Sequence, residues 1–258
     1  MENNTEDIIP FMFHYILTCI IAGIGLPLTL VAIYALYSLV RNDQVAPIYV
    51  INLLVSDVIQ LCSMIVLVAE PKDEQTLLIL GYSYIFGLFS SICFMLCVAL
   101  ERYLVIACPL WYCRQNIKTS VVLCVVVWAF NLVFVFTFQH LSLRIIAFFF
   151  YFPLPLFIFF LGGTLKSLSA SRVPSDEKRQ IVGILVLVLF SYTLLFLPSI
   201  IMFACFQLDL GLSGTFLKCS PLPHLFLYVF MRKGFADELL ASVCCCRMDN
   251  NNISQTTA

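Results

Sequence analysis

Residues 77–103 read LLILGYSYIFGLFSSICFMLCVALERY, and their pattern is the clearest indication of the architecture of this chain. Residues 77–100 carry no charged side chain, and they exceed the roughly 20 residues that a helix needs to cross a bilayer. The run ends in Glu101-Arg102-Tyr103, at the point where an apolar helix would leave the membrane. The stretch therefore predicts a membrane-spanning helix with a guanidinium and an adjacent carboxylate at one mouth.

The composition of the rest of the chain agrees with a membrane environment. Of its 258 residues, 62% are hydrophobic and only 11% are charged, with a mean hydropathy of +1.00. Soluble domains carry about 25% charged residues, so this chain has too few charges to cover a surface in water. A net charge of −1 gives no reason to expect nucleic-acid binding.

Seven apolar runs follow one another with short polar connections. They predict spans at 10–38, 45–69, 76–106, 118–139, 143–168, 177–206 and 208–231. We therefore expect an all-α membrane protein, a seven-transmembrane helix bundle (10–231) with a short amphipathic eighth helix. Residues 1–9 would be an extracellular N-terminus, and 232–258 an amphipathic helix and cytoplasmic tail.

The basic residues predict the orientation of the bundle. All lysines and arginines except Lys72, Arg144 and Lys218 fall on the side that carries Arg102. Because cytoplasmic loops are enriched in Lys and Arg, Arg102 and the C-terminus should be cytoplasmic. Seven spans then place the N-terminus outside, in a plasma-membrane protein. Asn3 of the sequon Asn3-Asn4-Thr5 is accordingly a candidate for glycosylation.

Several motifs fall on successive spans in a recognisable order. They are Gly25 to Thr29, Asn52 to Asp57, Glu101-Arg102-Tyr103, Trp128, Phe190 to Pro198, and Tyr228 followed seven residues later by Phe235. In this order they resemble the rhodopsin-like (class A) G-protein-coupled receptors, and residues 94–105 look most like the proton-sensing and lysolipid branch.

The resemblance implies a function for particular residues. Heterotrimeric G proteins and membrane lipid would be the partners, and the signal a proton, a lipid or another small extracellular ligand. Glu101, Arg102, Tyr103 and Tyr228 would form the coupling switch. Phe196 and Pro198 would belong to the activation motif of the sixth span, with Phe196 where tryptophan is common.

The chain departs from the family at specific positions. Gly163 stands eight residues after Pro155, where span five usually has a tyrosine, and Lys178 occupies a span-six position where an acidic residue could pair with Arg102. Leu77 replaces the cysteine that caps span three, and only residues 140–142 join spans four and five.

Asp57 is the charged residue deepest within span two, and such a residue is a functional candidate by default. With Ser91 it resembles the family's internal sodium site. The motif of span seven, however, reads His224-Leu225-Phe226-Leu227-Tyr228, which places His224 opposite Asp57. A buried carboxylate–imidazole pair shares protons. We therefore hypothesise that the pair replaces sodium and makes activation pH-dependent; a polar core contact without regulatory meaning is the alternative.

Two histidines and one lysine lie near the outer ends of the spans. His14 and His140 are candidate proton-sensing residues, although a histidine at a membrane boundary is also ordinary. Lys218 stands where opsins carry their retinal-linked lysine. Residues 77–84 hold no carboxylate to act as a counter-ion, so we expect no retinal or other cofactor. Lys218 should extend outward or meet Asp209.

The twelve cysteines do not predict a disulfide framework or a metal site, because most lie inside apolar runs without zinc-type spacing. Cys244, Cys245 and Cys246 follow the amphipathic stretch after span seven and are candidates for palmitoylation. The sequence shows no set of a nucleophile and a neighbouring base, so we do not expect an enzyme.

Two other classes of function stay open at this point. One is a receptor-like protein that does not signal and acts by heteromerisation with intact receptors. The other is a small channel or transporter, which would call for paired ionisable residues along a pore or matching broken helices.

Overall fold

The computed structural model describes residues 3–40, 47–69, 71–107, 117–138, 149–170, 181–194 and 217–231. These residues are helical apart from a few at turns, which confirms the predicted all-α membrane fold. Their helices are α1 (Asn3–Val40), α2 (Pro47–Val68), α3 (Glu74–Ala107), α4 (Ile117–Phe138), α5 (Pro153–Ala170), α6 (Ile181–Leu194) and α7 (Pro221–Met231).

Among the described residues, five helical stretches are long and apolar enough to cross a membrane. They are Tyr15–Tyr37, Ile48–Val68, Glu74–Ala107, Ile117–Thr137 and Phe149–Ser169. The described parts of spans six and seven form shorter apolar helices, α6 and α7. The chain is therefore a multi-pass membrane protein.

The start of α3 is fixed by a side-chain cap. The carboxylate of Asp73 accepts hydrogen bonds from the backbone N–H of Thr76 at 3.1 Å and from its hydroxyl at 2.8 Å. This is the N-cap arrangement that satisfies a backbone donor left without an intrahelical partner. The bonds from Thr76 hold the pKa of the Asp73 carboxyl below its usual range.

Span seven is not one continuous helix over its described part, in contrast to the sequence prediction. A turn at Cys219 and Ser220 precedes α7, with the Ser220 N–H bonded to the Leu217 carbonyl at 3.2 Å. Pro221 then opens α7, since proline lacks an N–H and fits the first helical position. This start places His224 in the first turn of α7.

α3 is the central helix of the bundle. It packs against α2, α4 and α5, while α2 also packs against α1 and α7. In the most apolar part of α3, 56% of the residues are buried, whereas in that of α4 only 28% are buried. The main core gathers apolar side chains from α1 to α7, among them Leu36, Leu53, Phe94, Met95, Phe157, Ile184 and Leu227.

The outer surface of α4 is apolar and exposed. Val122, Val125 and Val133 are exposed by 61%, 61% and 63%. A helix that is apolar on every side belongs in a core or a membrane, and these valines are not covered by protein. They belong against lipid.

A glycine sets the spacing between α2 and α3. A Cβ atom added at Gly87 would meet Cγ of Gln60 at 2.7 Å and the backbone oxygen of Ser56 at 2.9 Å. At Gly81, also in α3, nothing lies within 4 Å of the added atom. Gly87 therefore permits the close approach that brings α3 onto the polar part of α2.

Candidate functional site

Asp57 of α2 and His224 of α7 meet at the centre of the bundle. Nδ1 of His224 lies 2.9 Å from Oδ1 and 3.0 Å from Oδ2 of Asp57. Both side chains have 0% exposure. Because a carboxylate only accepts hydrogen bonds, a proton must be shared along this contact, on the imidazole or on the carboxyl group. The two residues that the sequence places opposite each other are thus in direct contact.

Two further polar side chains extend the pair. Gln60 Nε2 donates to Asp57 Oδ1 at 3.4 Å, a long hydrogen bond, and Ser220 Oγ donates to Gln60 Oε1 at 3.0 Å. Both residues are fully buried. We name Asp57, Gln60, Ser220 and His224 the internal polar cluster. Gln60 and Ser220 were missed by the sequence analysis, although each lies one helical turn from a predicted site residue.

Ser91, the third predicted member of the internal site, bonds elsewhere. Its hydroxyl donates to the Leu88 carbonyl of its own helix at 2.8 Å. A serine that satisfies its hydroxyl on the preceding turn of its helix is common. A hydrogen bond therefore joins Asp57 to His224, while the described bond of the Ser91 hydroxyl goes to its own helix, and the place of Ser91 in the internal site stays a prediction.

The donor set of the cluster does not suit a hard cation. Sodium, like other hard cations, takes oxygen ligands, whereas both carboxylate oxygens of Asp57 face an imidazole nitrogen. The remaining oxygen of Gln60 accepts from Ser220. His224 presents nitrogen where the family resemblance predicts an amide or carboxylate oxygen. The residues present thus fit proton sharing and do not fit sodium.

Glu101 and Arg102 lie at the far end of α3. Glu101 is 3% exposed and lies near Tyr49 of α2, which hydrogen-bonds with Ser120 of α4. A guanidinium nitrogen of Arg102 lies 3.9 Å from Oε2 of Glu101. That distance exceeds a hydrogen bond, so the two charges attract without being locked together. Nε of Arg102 is buried and has no hydrogen-bond partner among the described residues.

Tyr103 points to α5. Its ring centroid lies 5.8 Å from that of Phe159 and 5.6 Å from that of Phe160. Tyr228 of α7 is partly buried and packs against the main core. No hydrogen bond joins Tyr228 to Arg102 within the described part of the chain. Tyr103 and Tyr228 thus make contacts with different neighbours, and the coupling switch stays a prediction.

Asn52 and Trp128, motif residues of the second and fourth spans, are bonded to each other. Trp128 Nε1 donates to Asn52 Oδ1 at 2.9 Å, and Asn52 in turn donates to the Ile48 carbonyl at 2.9 Å. This bond joins α4 to α2. The profile of the 7 transmembrane receptor (rhodopsin family) matches residues 28–144, which include this pair.

Residues 28–144 are thus similar to the rhodopsin family of seven-transmembrane receptors.

Curated receptors show the same likeness. The chain is 31% identical over 140 residues to the Mas-related G-protein coupled receptor member B5 of Mus musculus, covering 51% of this chain and 43% of the relative. It is 29% identical over 143 residues to the 2-oxoglutarate receptor 1 of Rattus norvegicus, covering 52% and 42%. The match thus spans less than half the length of these relatives. Proximity to the proton-sensing and lysolipid branch stays a prediction.

Several of the site residues predicted from the sequence lie outside the described residues. They are Phe196, Pro198, His140, Cys244, Cys245 and Cys246. Asn3 and His14 belong to the backbone of α1, but their side chains are not described. The predictions for glycosylation, palmitoylation, outer histidines and the span-six motif therefore keep their status as predictions.

Lys218 makes a contact that the sequence did not predict. Its Nζ donates to the Thr18 hydroxyl of α1 at 3.3 Å, and the lysine is half-buried. Lysines near helix ends often extend to the interface, but here a neighbouring hydroxyl offers an acceptor inside the bundle. Asp209, the other predicted partner, lies outside the described residues. Lys218 thus places a cation between α1 and the segment that precedes α7.

Proposed function

We propose that the protein is a plasma-membrane receptor that passes an extracellular signal to heterotrimeric G proteins, with its N-terminus outside. The observation that carries the proposal is Arg102 at the end of the central helix, in a chain related to the rhodopsin family. The asymmetry of the basic residues supports a cytoplasmic position for that end.

The geometry of Arg102 suits a coupling residue. An arginine carries five N–H donors in a fixed plane, and among the described residues its acidic neighbour, Oε2 of Glu101, lies beyond hydrogen-bond distance, at 3.9 Å. Its side chain is 13% exposed. An exchange of the loose contact with Glu101 for a carbonyl or carboxylate of a partner would therefore cost little. A helix movement that opens this end would supply the access.

Nucleotide exchange tests the proposal. The full chain is reconstituted in nanodiscs, and GDP release from a panel of purified heterotrimers is measured across pH 5.5–8 and a set of lysolipids and small carboxylates. Arg102→Ala should abolish release. Lys118→Ala is the matched control, because it removes an exposed cation at the neighbouring end of α4, and it should behave like wild type.

Other outcomes identify the competing functions. If no heterotrimer responds at verified surface expression, the receptor proposal fails. A changed surface level or response of a co-expressed intact receptor would then indicate heteromerisation. Ion flux in the same cells would indicate a channel or transporter.

Lys218 gives a reason to include acidic ligands in the panel. By its name, the 2-oxoglutarate receptor answers to a dicarboxylate, and Lys218 offers a half-buried cation whose hydrogen bond within the described residues goes to a neutral hydroxyl, that of Thr18. We propose an acidic group as one feature of the extracellular ligand. Lys218→Met should then lose the response to the acidic member of the panel and keep any response to protons.

We also propose that the Asp57–His224 pair takes the place of a bound sodium ion and makes activation depend on pH. The support is the direct contact of Nδ1 with both carboxylate oxygens, which leaves no oxygen cage. Replacing sodium chloride by choline chloride should leave wild-type GDP release unchanged. His224→Asn restores an oxygen ligand and should confer sodium dependence while flattening the pH profile. Identical salt and pH responses in both proteins would eliminate this role.

A further inference from the structure

Gly163 of α5 lies directly against the ring of Tyr103. A Cβ atom added at Gly163 would meet Cε2 of Tyr103 at 2.6 Å and Cδ2 at 3.2 Å. Carbon atoms in normal contact stay about 3.5–4.0 Å apart, so even one methyl group must displace the ring or the helix. The same atom added at Gly162 meets nothing within 4 Å. The close approach is therefore specific to position 163.

Two aromatic residues of α5 also pack against the ring of Tyr103. The rings of Phe159 and Phe160 lie 5.8 Å and 5.6 Å from it, within the range favoured by aromatic pairs. Phe160 is largely buried, with 8% exposure. We name Phe159, Phe160 and Gly163 the α5 slot. Because position 163 is a glycine, α3 lies closer to α5 here than it could if the residue at that position had a side chain.

The slot and the buried carboxylate hold α3 from two sides. Successive residues of an α-helix are turned by about 100°, so Glu101 and Tyr103 point in widely separated directions. Glu101 is buried near Tyr49 of α2, and Tyr103 is seated on α5. Arg102 lies between the two. Rotation of this end of α3 would therefore break at least one of the contacts.

We propose that Tyr103 and Gly163 are positioning residues for G-protein coupling: the ring seated against the glycine fixes the rotation of α3 and so the direction of Arg102. The inference rests on the proposed function, because it concerns how Arg102 is presented to the G protein. A guanidinium at the end of a long side chain moves by a large distance when its helix turns slightly. The α5 slot thus fixes the orientation of Arg102 by holding Tyr103.

Paired alanine substitutions on α5 test the proposal. Gly163→Ala should lower ligand-independent GDP release by about tenfold or more, the order expected when a methyl is forced into a filled contact. Gly162→Ala has the same composition and the same gain in helix propensity, and it should leave release unchanged. Combining Gly163→Ala with Tyr103→Leu removes the ring that the methyl meets, so the double variant should release GDP no more slowly than Tyr103→Leu alone. Release is expressed per folded receptor, with the melting temperature of each variant measured alongside.

A photo-crosslink reports the contact independently of coupling. Azidophenylalanine at position 103 should label the peptide that contains Phe159 to Gly163, and the label should be lost in Gly163→Ala but kept in Gly162→Ala. Equal release and equal labelling in the two alanine variants would overturn the inference. A loss of release fully explained by loss of folded receptor would also overturn it, leaving only a packing role. If the wild type itself activates no heterotrimer while the label appears, the proposed function fails and this coupling role with it.

Discussion

Removal of His224 should destabilise the protein far more than loss of an ordinary hydrogen bond. Asp57 and His224 are both fully buried, and the remaining neighbour of Asp57, Gln60, lies at a long 3.4 Å. Breaking a buried ion pair by removing one partner generally costs about 3–5 kcal/mol, whereas a hydrogen bond between membrane helices averages about 0.6 kcal/mol. The two magnitudes differ enough for a melting experiment to decide between a charged pair and a simple polar contact.

A double-mutant cycle measures that difference. His224→Leu leaves the carboxylate of Asp57 without its main partner. A loss of about 3–5 kcal/mol corresponds to roughly 2–4 °C per kcal/mol for a chain of this size. The His224→Leu substitution should therefore lower the melting temperature by roughly 6–20 °C. The double variant with Asp57→Leu removes both polar groups, and apolar replacements of a buried pair are often close to neutral. It should therefore melt well above His224→Leu alone.

The assay is thermal unfolding of the four proteins in the same nanodiscs at one scan rate. A coupling energy below about 1 kcal/mol would refute the reasoning, since that is the size expected for a neutral hydrogen bond. The same result would weaken the proposal that the pair shares a proton during activation. A large coupling energy would support it.

Three further predictions concern single contacts. Gly87→Ala should lower the melting temperature by an amount corresponding to about 1–3 kcal/mol, because backbone atoms of α2 already occupy the position of the added methyl group. Gly81→Ala has free space for the methyl group and should raise the melting temperature slightly. Equal shifts in the two variants would contradict the close approach of α2 and α3 at Gly87. Asp73→Ala should lower the melting temperature at neutral pH, and the difference from wild type should vanish as the pH falls below about 4, since a carboxyl group whose pKa is lowered by folding stabilises only while ionised. Trp128→Phe keeps the ring contacts but removes the 2.9 Å bond to Asn52, and it should cost about 1 kcal/mol; an unchanged melting temperature would count against that bond.

The positions of three spans could be predicted closely from the sequence. Spans expected at 45–69, 76–106 and 118–139 correspond to Pro47–Val68, Glu74–Ala107 and Ile117–Phe138. The reason is that bilayer thickness fixes the length of an apolar run, and polar residues such as Asp73 mark its ends. These features are local, so they can be read without knowledge of the packing.

Part of the polar site could also be predicted. The spacing of the span-seven motif placed His224 opposite Asp57, and the two side chains are in contact at 2.9 Å. Ser91 was placed in the same site by the family resemblance, and its hydroxyl donates to the Leu88 carbonyl of its own helix. A motif aligns helices along their length, but it does not say which way a small hydroxyl rotates or which nearby acceptor it finds.

The sequence alone was enough to establish that this chain lies in a membrane, where three of its spans begin and end, and which motifs each span carries, because hydrophobicity and charge act on each segment separately. Only the tertiary structure decided that Gln60 and Ser220 join the internal polar cluster, that Lys218 meets Thr18, and that Gly163 admits the ring of Tyr103. These contacts depend on the rotation of each helix and on how closely two helices approach. In a bundle whose helices are apolar on nearly every face, hydropathy does not specify either quantity.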